Sequence, residues 1–425
     1  MQILKIEGGT RLEGTAQLVS AKNAVLPILA ACVITDQPVT LLDVPDILDV
    51  ENMLGILREL GCTISKDGKA VTVCAANIDQ EKLPDHLAKL LRSSIFLMGP
   101  LLARMRKAIM PFPGGCEIGL RPIDLHQRGL ESLGVVFHDE GGYIRCDGSH
   151  MRGGVIHFDF PSVGATENVM MAAALTPGKT VIHNAAREPE IVDLQRFMNA
   201  CGAKVSGAGK PTITIQGVKR LHGATYRPIP DRIVGGTLLA AAAMTGGTLD
   251  LRNAPDDMGA IVAKMRDMGC EIREEIGRTI LLAPKRLHSF RQMQTQPFPG
   301  FPTDMQAQMM ALATMADGVS LVMENVFENR FAHAADLARM GADIVLSNRM
   351  AVIRGVPKLH GTTVVSRDLR AGAALVIAGL AAEGTTIVEN ITLIDRGYER
   401  LEDQLAALGA KIERVEEMNG QKQYD

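Results

Sequence analysis

Met258-Gly259-Ala260-Ile261-Val262-Ala263-Lys264-Met265-Arg266-Asp267-Met268-Gly269-Cys270 puts Met258, Ile261, Val262, Met265 and Met268 on one helical face and then stops at a glycine. Glycine suits that end because a left-handed C-cap leaves no room for a Cβ. The same ending is written six times: Leu60-Gly61-Cys62, Leu133-Gly134-Val135, Cys201-Gly202-Ala203, Met268-Gly269-Cys270, Met340-Gly341-Ala342 and Leu408-Gly409-Ala410. The copies lie about 70 residues apart, a spacing at which self-similarity decides the architecture.

Working outward from that glycine, each copy shows the same parts. An apolar, small-residue helix comes first, over 24–31, 95–103, 168–175, 237–244, 305–315 and 371–381. A β-rich run follows, as in Val39-Thr-Leu-Leu42, Thr180-Val-Ile182, Ser320-Leu-Val322 and Thr385-Thr-Ile-Val388. Next come the amphipathic helix with its terminal glycine and a hairpin, visible over 135–144 and 344–353. The unit reads helix–strand–helix–strand–strand. The first helix is apolar nearly all round and belongs inside; the second has a polar face and belongs outside. The pattern predicts an inside-out α/β arrangement. Six units exceed one core, so two domains are expected.

The formal net charge is −3, tryptophan is absent and no basic run occurs, which argues against nucleic-acid partners. No apolar run is long enough to span a bilayer and no signal-peptide pattern is seen, so a cytoplasmic protein without membrane contact is expected. Seven cysteines lack metal-ligand spacing and suit a reducing compartment. Cys32, Cys62, Cys201 and Cys270 read as small core residues, and Cys74 and Cys146 as strand residues.

One copy breaks the pattern. From the end of the β-rich run to the repeated glycine is about 16–18 residues in four copies and about 23 in the second. The extra residues form Pro113-Gly-Gly-Cys-Glu-Ile-Gly-Leu-Arg-Pro122, a glycine-rich loop able to approach a ligand closely. Its Cys116 answers to no core position, and the nearby Arg121 would favour the reactive thiolate. An incidental surface thiol is the alternative; the insertion favours a working one. The apolar helices also begin with polar or ionic residues: Lys22-Asn23, Arg92, Ser162–Thr166, Asp231-Arg232, Thr303-Asp304 and Asp368–Arg370. N-capping accounts for the Ser, Thr and Asp residues but not for Lys22, Arg92 or Arg370. If the helices run parallel, their N-termini gather into anion-attracting ends. Glu188 and Arg396 lie in strand-to-helix turns of the third and last copies, as ion-pair members or site residues.

Taken together, Ser20-Ala-Lys-Asn-Ala24, Pro113–His126, Ser162-Val-Gly-Ala-Thr166, Ala186–Ile191, Phe301–Gln306, Phe327-Glu-Asn-Arg-Phe331 and Ile394-Asp-Arg-Gly-Tyr-Glu399 resemble the UDP-N-acetylglucosamine 1-carboxyvinyltransferases, enolpyruvyl transferases of bacterial peptidoglycan synthesis. The resemblance runs over essentially the whole chain. It implies an inside-out α/β barrel of six repeats in two three-unit domains, residues 1–21 plus 230–425 and residues 22–229, with the active site between them and hinges near 20–22 and 228–232.

It also implies that phosphoenolpyruvate adds through C2 to the sugar 3′-hydroxyl and that phosphate then leaves, with no cofactor and no metal. Cys116 becomes the general acid and the thiol alkylated by fosfomycin; Asp304 becomes the base. Lys22, Arg121 and Arg396 hold the phosphate and carboxylate, and Asn23 touches the reacting centre. Arg92, Arg121, Pro122, Asp124, Leu125, His126, Ser162, Val163, Gly164, Asp304 and Val326 contact the sugar nucleotide. The chain is expected to act as a monomer. The rival readings are the shikimate-pathway enolpyruvyl transferase, whose Gly-Asn-Ala-Gly-Thr segment is missing here, a non-catalytic sugar-nucleotide-binding homologue, and a repeat scaffold.

Overall fold

A computed structural model describes residues 2–112 and 123–416. They divide into two compact units, one of residues 2–18 and 230–416, the other of 19–112 and 123–229.

Among the described residues, six helices are buried over most of their length: Lys22–Ala31, Met98–Met105, Val163–Ala173, Arg232–Met244, Gln306–Thr314 and Leu369–Ala381. A 3₁₀ turn, Arg92–Leu97, leads into the second, and another, Thr303–Met305, into the fifth. Within one unit the last three pack on one another; in the other, Met98–Met105 packs on Val163–Ala173. Their small residues make that approach possible: a Cβ at Gly99 would lie 2.3 Å from the Asn168 carbonyl oxygen. Larger residues such as Leu375 and Ile377 fill the remaining space, and cutting one to alanine would cost about 2–5 kcal/mol.

The six repeated glycines all adopt the left-handed conformation, with φ from 91° at Gly134 to 101° at Gly61. Each helix end closes in the same way. The Cys62 N–H donates to the Leu57 carbonyl at 2.9 Å, and Val135, Ala203, Cys270, Ala342 and Ala410 repeat that bond at 3.0–3.2 Å. The left-handed glycine is expected from the sequence; the hydrogen bonds make each end a Schellman closure.

The strand after each buried helix pairs antiparallel with a hairpin strand, as in Thr180↔Ile215 and Leu321↔Val352. On its other side lies a short parallel strand that periodicity did not reveal. Val155–His157, Gln292–Gln294, Glu13–Gln17, Thr363–Val365 and Thr225–Tyr226 fill this role. Most are too short to show a period of two. In the second copy the strand shrinks to the Lys82–Ile109 bridge, leaving three strands. The N-terminal strand Gln2–Glu7 completes the last copy, lying between Thr385–Glu389 and Lys411–Glu416.

The expected inside-out α/β barrel is therefore corrected. The described strands form six separate open sheets, five of four strands and one of three, and none closes on itself. The reason lies at the edges. The outer hairpin strands Thr63–Asp67, Val136–Glu140, Glu271–Glu275 and Asp343–Ser347 are largely exposed, and three of them end in charged residues. Charged, exposed edges resist pairing with a further strand. The architecture is α/β, with helices inside and open mixed sheets outside.

A second recurring feature aims the helices. Asn184, Asn253 and Asn390 follow the first strand of their copies with φ of 52°, 54° and 57°, a region Asn tolerates well. Their side-chain amides donate to the carbonyls of Phe158, Leu18 and Ser366 at 2.7, 2.9 and 3.0 Å, close to where the chain enters buried helices. Through Asn184 and Asn390 two of these sheets tie down the approach to the helices Val163–Ala173 and Leu369–Ala381.

Candidate active site

Each unit carries its own polar cluster at the N-terminal ends of its buried helices. In residues 230–416 the centre is Asp304. Its Oδ1 accepts from Arg330 at 2.8 Å and its Oδ2 from Arg370 at 3.0 Å. Both guanidiniums are almost fully buried, while a quarter of the Asp304 side chain stays open (26%). Burial alone would raise the Asp304 pKa, but Arg370 and Arg330 outweigh it and hold the carboxyl well below the usual carboxylate range. For Arg370, burial pulls its pKa down while Tyr398, Asp304 and Asp231 pull it up; the net direction is up, so it stays charged. Asp231, Asp304 and Arg370 stand at the starts of three different buried helices, so those starts converge here.

The surroundings lock this arrangement. Glu324, fully buried, accepts from the hydroxyls of Thr295 and Thr303 at 2.8 and 2.9 Å and from the backbone N–H groups of Val326 and Phe327. Thr303 in turn accepts from Arg330 at 2.9 Å. Gln308 donates to the Asp304 carbonyl at 3.0 Å and to the Tyr398 hydroxyl at 3.2 Å, and that hydroxyl lies 2.9 Å from Thr237. Tyr398 sits two residues beyond Arg396, with the Arg370 guanidinium 5.4 Å above its ring. Arg396 itself is half-buried, directly after the short helix Thr392–Asp395.

Unmet hydrogen bonds concentrate in this cluster. Arg330 Nε, Arg370 Nη1, Gln306 Oε1, Gln308 Oε1 and both ring nitrogens of His333 are buried without a partner among the described residues. A folded interior normally pairs such groups, since each orphan costs about 1–3 kcal/mol. Two of the orphans are arginine N–H donors, which suits an anion or the water around one.

In residues 19–112 and 123–229 the cluster is built differently. Lys22 opens its helix with Nζ 2.7 Å from Asp49 Oδ2, both buried. Asn23 beside it is exposed. His126 is buried, and its Nδ1 lies 2.9 Å from Asn168 Nδ2. Asn168 Oδ1 accepts from the Gly99 N–H at 2.7 Å, which fixes its amide orientation and makes Nδ2 the donor. His126 Nδ1 must therefore accept, and the ring is neutral. Burial, with Arg92 assisting against Asp124, lowers its pKa to about 4. The other edge of the ring lies over Gly164, where a Cβ would stand 3.0 Å from Cε1 and 3.2 Å from Nε2. Ser162 caps the helix, accepting from the Ala165 N–H at 3.4 Å. Leu125 and Val163 pack against the core of this unit. One turn along, Glu167 is fully buried, and neither of its oxygens has a partner among the described residues. Burial raises its pKa well above the usual carboxylate range, reinforced by Glu190 and Glu188.

A sequence profile of the EPSP synthase (3-phosphoshikimate 1-carboxyvinyltransferase) family matches residues 6–405. The chain is 50% identical over 412 residues to UDP-N-acetylglucosamine 1-carboxyvinyltransferase 2 of Caldanaerobacter subterraneus subsp. tengcongensis, covering 97% of this chain and 99% of that one. It is 49% identical over 418 residues to the UDP-N-acetylglucosamine 1-carboxyvinyltransferase of Nitratidesulfovibrio vulgaris (strain Miyazaki F), covering 98% and 100%. The chain belongs to this family of carboxyvinyltransferases. Among solved structures it is similar in fold to the enolpyruvyl transferase NikO from Streptomyces tendae, with a TM-score of 0.88 and 24% identity over 97% of this chain and 99% of that one. The EPSP synthase of Acinetobacter baumannii matches at a TM-score of 0.75 and 17% identity, over 98% and 100%. At those identities the likeness is one of fold alone.

For a carboxyvinyltransferase, the residues singled out from the sequence are distributed as follows. Arg92, Asp124, Leu125, His126, Ser162, Val163 and Gly164 belong to one unit, with His126 next to Gly164 and within the electrostatic influence of Arg92 and Asp124. Asp304, Val326 and Arg396 belong to the other, with Val326 linked to Thr303 through Glu324. Cys116, Arg121 and Pro122 lie outside the described residues. Among the described residues no group of His, Cys, Asp or Glu is arranged to hold a metal ion, and no helix is long and apolar enough to cross a membrane.

Sequence reasoning missed Asp49, Asn168, Arg330, Glu324 and Gln308 as parts of these clusters. A signal for some was present. Arg330 sits inside the motif Phe327–Phe331, and Arg370 already stood out as a cation that capping does not explain.

Proposed function

We propose that the chain transfers the enolpyruvyl group of phosphoenolpyruvate to the 3′-hydroxyl of UDP-N-acetylglucosamine, with release of phosphate, as the committed step toward peptidoglycan. The observation that carries this reading is Asp304. It is an ionised carboxylate between two buried arginines, each of which keeps one nitrogen, Arg330 Nε and Arg370 Nη1, without a partner among the described residues. An incoming phosphate or carboxylate competes with Asp304 for those guanidiniums. As the arginines turn to the anion, Asp304 loses the charges that hold its pKa down and becomes a better base. It then takes the hydroxyl proton as the sugar oxygen bonds to C2, while Cys116 delivers a proton to C3. In the second half the C2–O bond to phosphate breaks, a C3 proton is removed and the enol ether forms.

Lys22, Arg121 and Arg396 are assigned to the phosphate and carboxylate, and Asn23 to the reacting centre. Arg92, Arg121, Pro122, Asp124, Leu125, His126, Ser162, Val163, Gly164, Asp304 and Val326 are assigned to the sugar nucleotide. Lys22 suits its task because Asp49 fixes its ammonium in place. A cytoplasmic location fits the described cysteines, all of them free thiols.

The test is phosphate release from phosphoenolpyruvate, with and without UDP-N-acetylglucosamine. Release should require the sugar nucleotide, ignore shikimate 3-phosphate and fall sharply in Cys116→Ser. Release that proceeds equally without the sugar rejects the reading. Fosfomycin should leave one covalent adduct, on Cys116, and abolish turnover.

A further inference from the structure

Arg396 follows Asp395 directly, and Asp395 is gripped by an arginine 19 residues further along the chain. Arg414 lies on the strand Lys411–Glu416, which pairs with Gln2–Glu7 at the edge of its sheet. Its Nη1 and Nη2 donate to Asp395 Oδ2 and Oδ1 at 2.9 and 2.7 Å. Its Nε and Nη2 donate to Glu402 Oε1 and Oε2 at 2.7 and 3.2 Å, and Nη1 also reaches Gln2 Oε1 at 3.2 Å. All five N–H donors of the guanidinium are thus used, by two forked carboxylates and one amide. The group is largely shielded, with 17% of the side chain exposed.

The other side of the turn is fixed as well. The N–H groups of Gly397 and Tyr398 both donate to the Ile394 carbonyl, at 3.1 and 3.0 Å. The Tyr398 hydroxyl is anchored to Thr237 and Gln308 inside the core. The backbone of residue 396 is therefore held between an outer fork on 395 and an inner anchor on 398. Surface ion pairs alone rarely justify so complete a fork.

We propose that Arg414 is a positioning residue for Arg396, acting through Asp395 to fix the direction from which that guanidinium meets the anionic co-substrate. This rests on the reading of Arg396 as a holder of phosphoenolpyruvate. The strand Lys411–Glu416 is then part of the binding machinery, although it touches no substrate.

Two variants separate positioning from simple stapling of the strand. Asp395→Asn and Glu402→Gln each remove one forked carboxylate from Arg414, and each should lower the Tm by a few degrees, about 2–4 °C for each kcal/mol lost. Only Asp395→Asn should raise the KM for phosphoenolpyruvate, by about tenfold, because sub-ångström misplacement of a substrate contact is expensive. The KM for UDP-N-acetylglucosamine should stay at the parent value in both. Arg414→Lys keeps the charge but loses the fork, and should raise the phosphoenolpyruvate KM in the same way. Equal KM effects in Asp395→Asn and Glu402→Gln, or none in either, overturn the proposal. Arg396→Ala tells the two readings apart. A raised KM there with Asp395→Asn at the parent value overturns the positioning role alone; an unchanged KM in Arg396→Ala overturns the role of Arg396 and the proposal with it.

Discussion

Asp304 and Glu167 are both carboxyls near the start of a buried helix, one in each unit, yet their surroundings drive them in opposite directions. Asp304 faces Arg330 and Arg370 and is held ionised. Glu167 faces Glu190 and Glu188, with neither oxygen bonded among the described residues, and favours its protonated form. The helix terminus offers both the same kind of help, about 0.3–1 kcal/mol for a negative charge near the first turn. That is small beside burial without a partner, which shifts carboxyl pKa values by up to about 3–5 units at about 1.4 kcal/mol each. The fold repeats the helix start; the side chains packed against it decide what the carboxyl does there.

The comparison breaks most visibly at Asp304. Asp304→Asn should lower kcat by about 10²–10⁴-fold, the range for loss of a general base. Steady-state kinetics check this; a variant that turns over at the parent rate removes Asp304 as base.

Arg330→Met tests the cause of the difference. With one guanidinium gone, the Asp304 pKa should rise, and the acid limb of the kcat/KM profile should move to higher pH. The loss in kcat/KM at neutral pH is expected to be about 10–100-fold, the size of one charge-assisted bond. The sign for stability follows from the depressed pKa in the folded state. The ion pairs stabilise above the ordinary carboxylate range, and that contribution disappears as pH falls through the lowered folded value. In Arg330→Met the contribution should be smaller, and its loss should be complete at a higher pH than in the parent.

The other cluster has its own structural test. Asn168→Ala removes the partner of the Gly99 N–H, the Ile95 carbonyl and His126 Nδ1 at once. Orphaning buried groups at about 1–3 kcal/mol each predicts a clear fall in the denaturation midpoint. Release of the His126 ring should also raise the KM for the sugar nucleotide several-fold. An unchanged KM would remove His126 from the sugar-nucleotide contacts.

The smallest effect has the opposite sign. Glu167→Gln should make the protein more stable at neutral pH. A carboxyl whose folded pKa is raised burdens the fold increasingly as pH climbs from the ordinary glutamate value toward the raised one. The variant escapes that burden, so its Tm should exceed that of the parent by about 2–4 °C at pH 7 and match it near pH 4. A variant less stable at pH 7 would mean that the Glu167 carboxylate has a favourable partner after all.

Much of the architecture is local, and local features can be read directly from a sequence. The buried helices announced themselves by composition, the strands and amphipathic helices by period, and the repeated glycines by the one conformation that excludes a Cβ; φ values of 91–101° meet that requirement. Motif likeness sufficed for the family and for nominating Lys22, His126, Asp304 and Arg396. Other decisions depend on segments distant in the chain. Whether the sheets close was misjudged, because edge pairing depends on which strand arrives and on what its exposed face carries. The strand at residues 2–7 completes a sheet otherwise made from residues 363–416, and residues 225–226 join a strand at 39–41. The charge states were hidden for the same reason. Asp304 meets Arg370 from 66 residues away and Arg414 meets Asp395 across a hairpin-sized gap of 19, while Glu167 meets other acids. Residue type sets what a side chain can do; proximity, burial and partner charge, which only packing supplies, determine what it does.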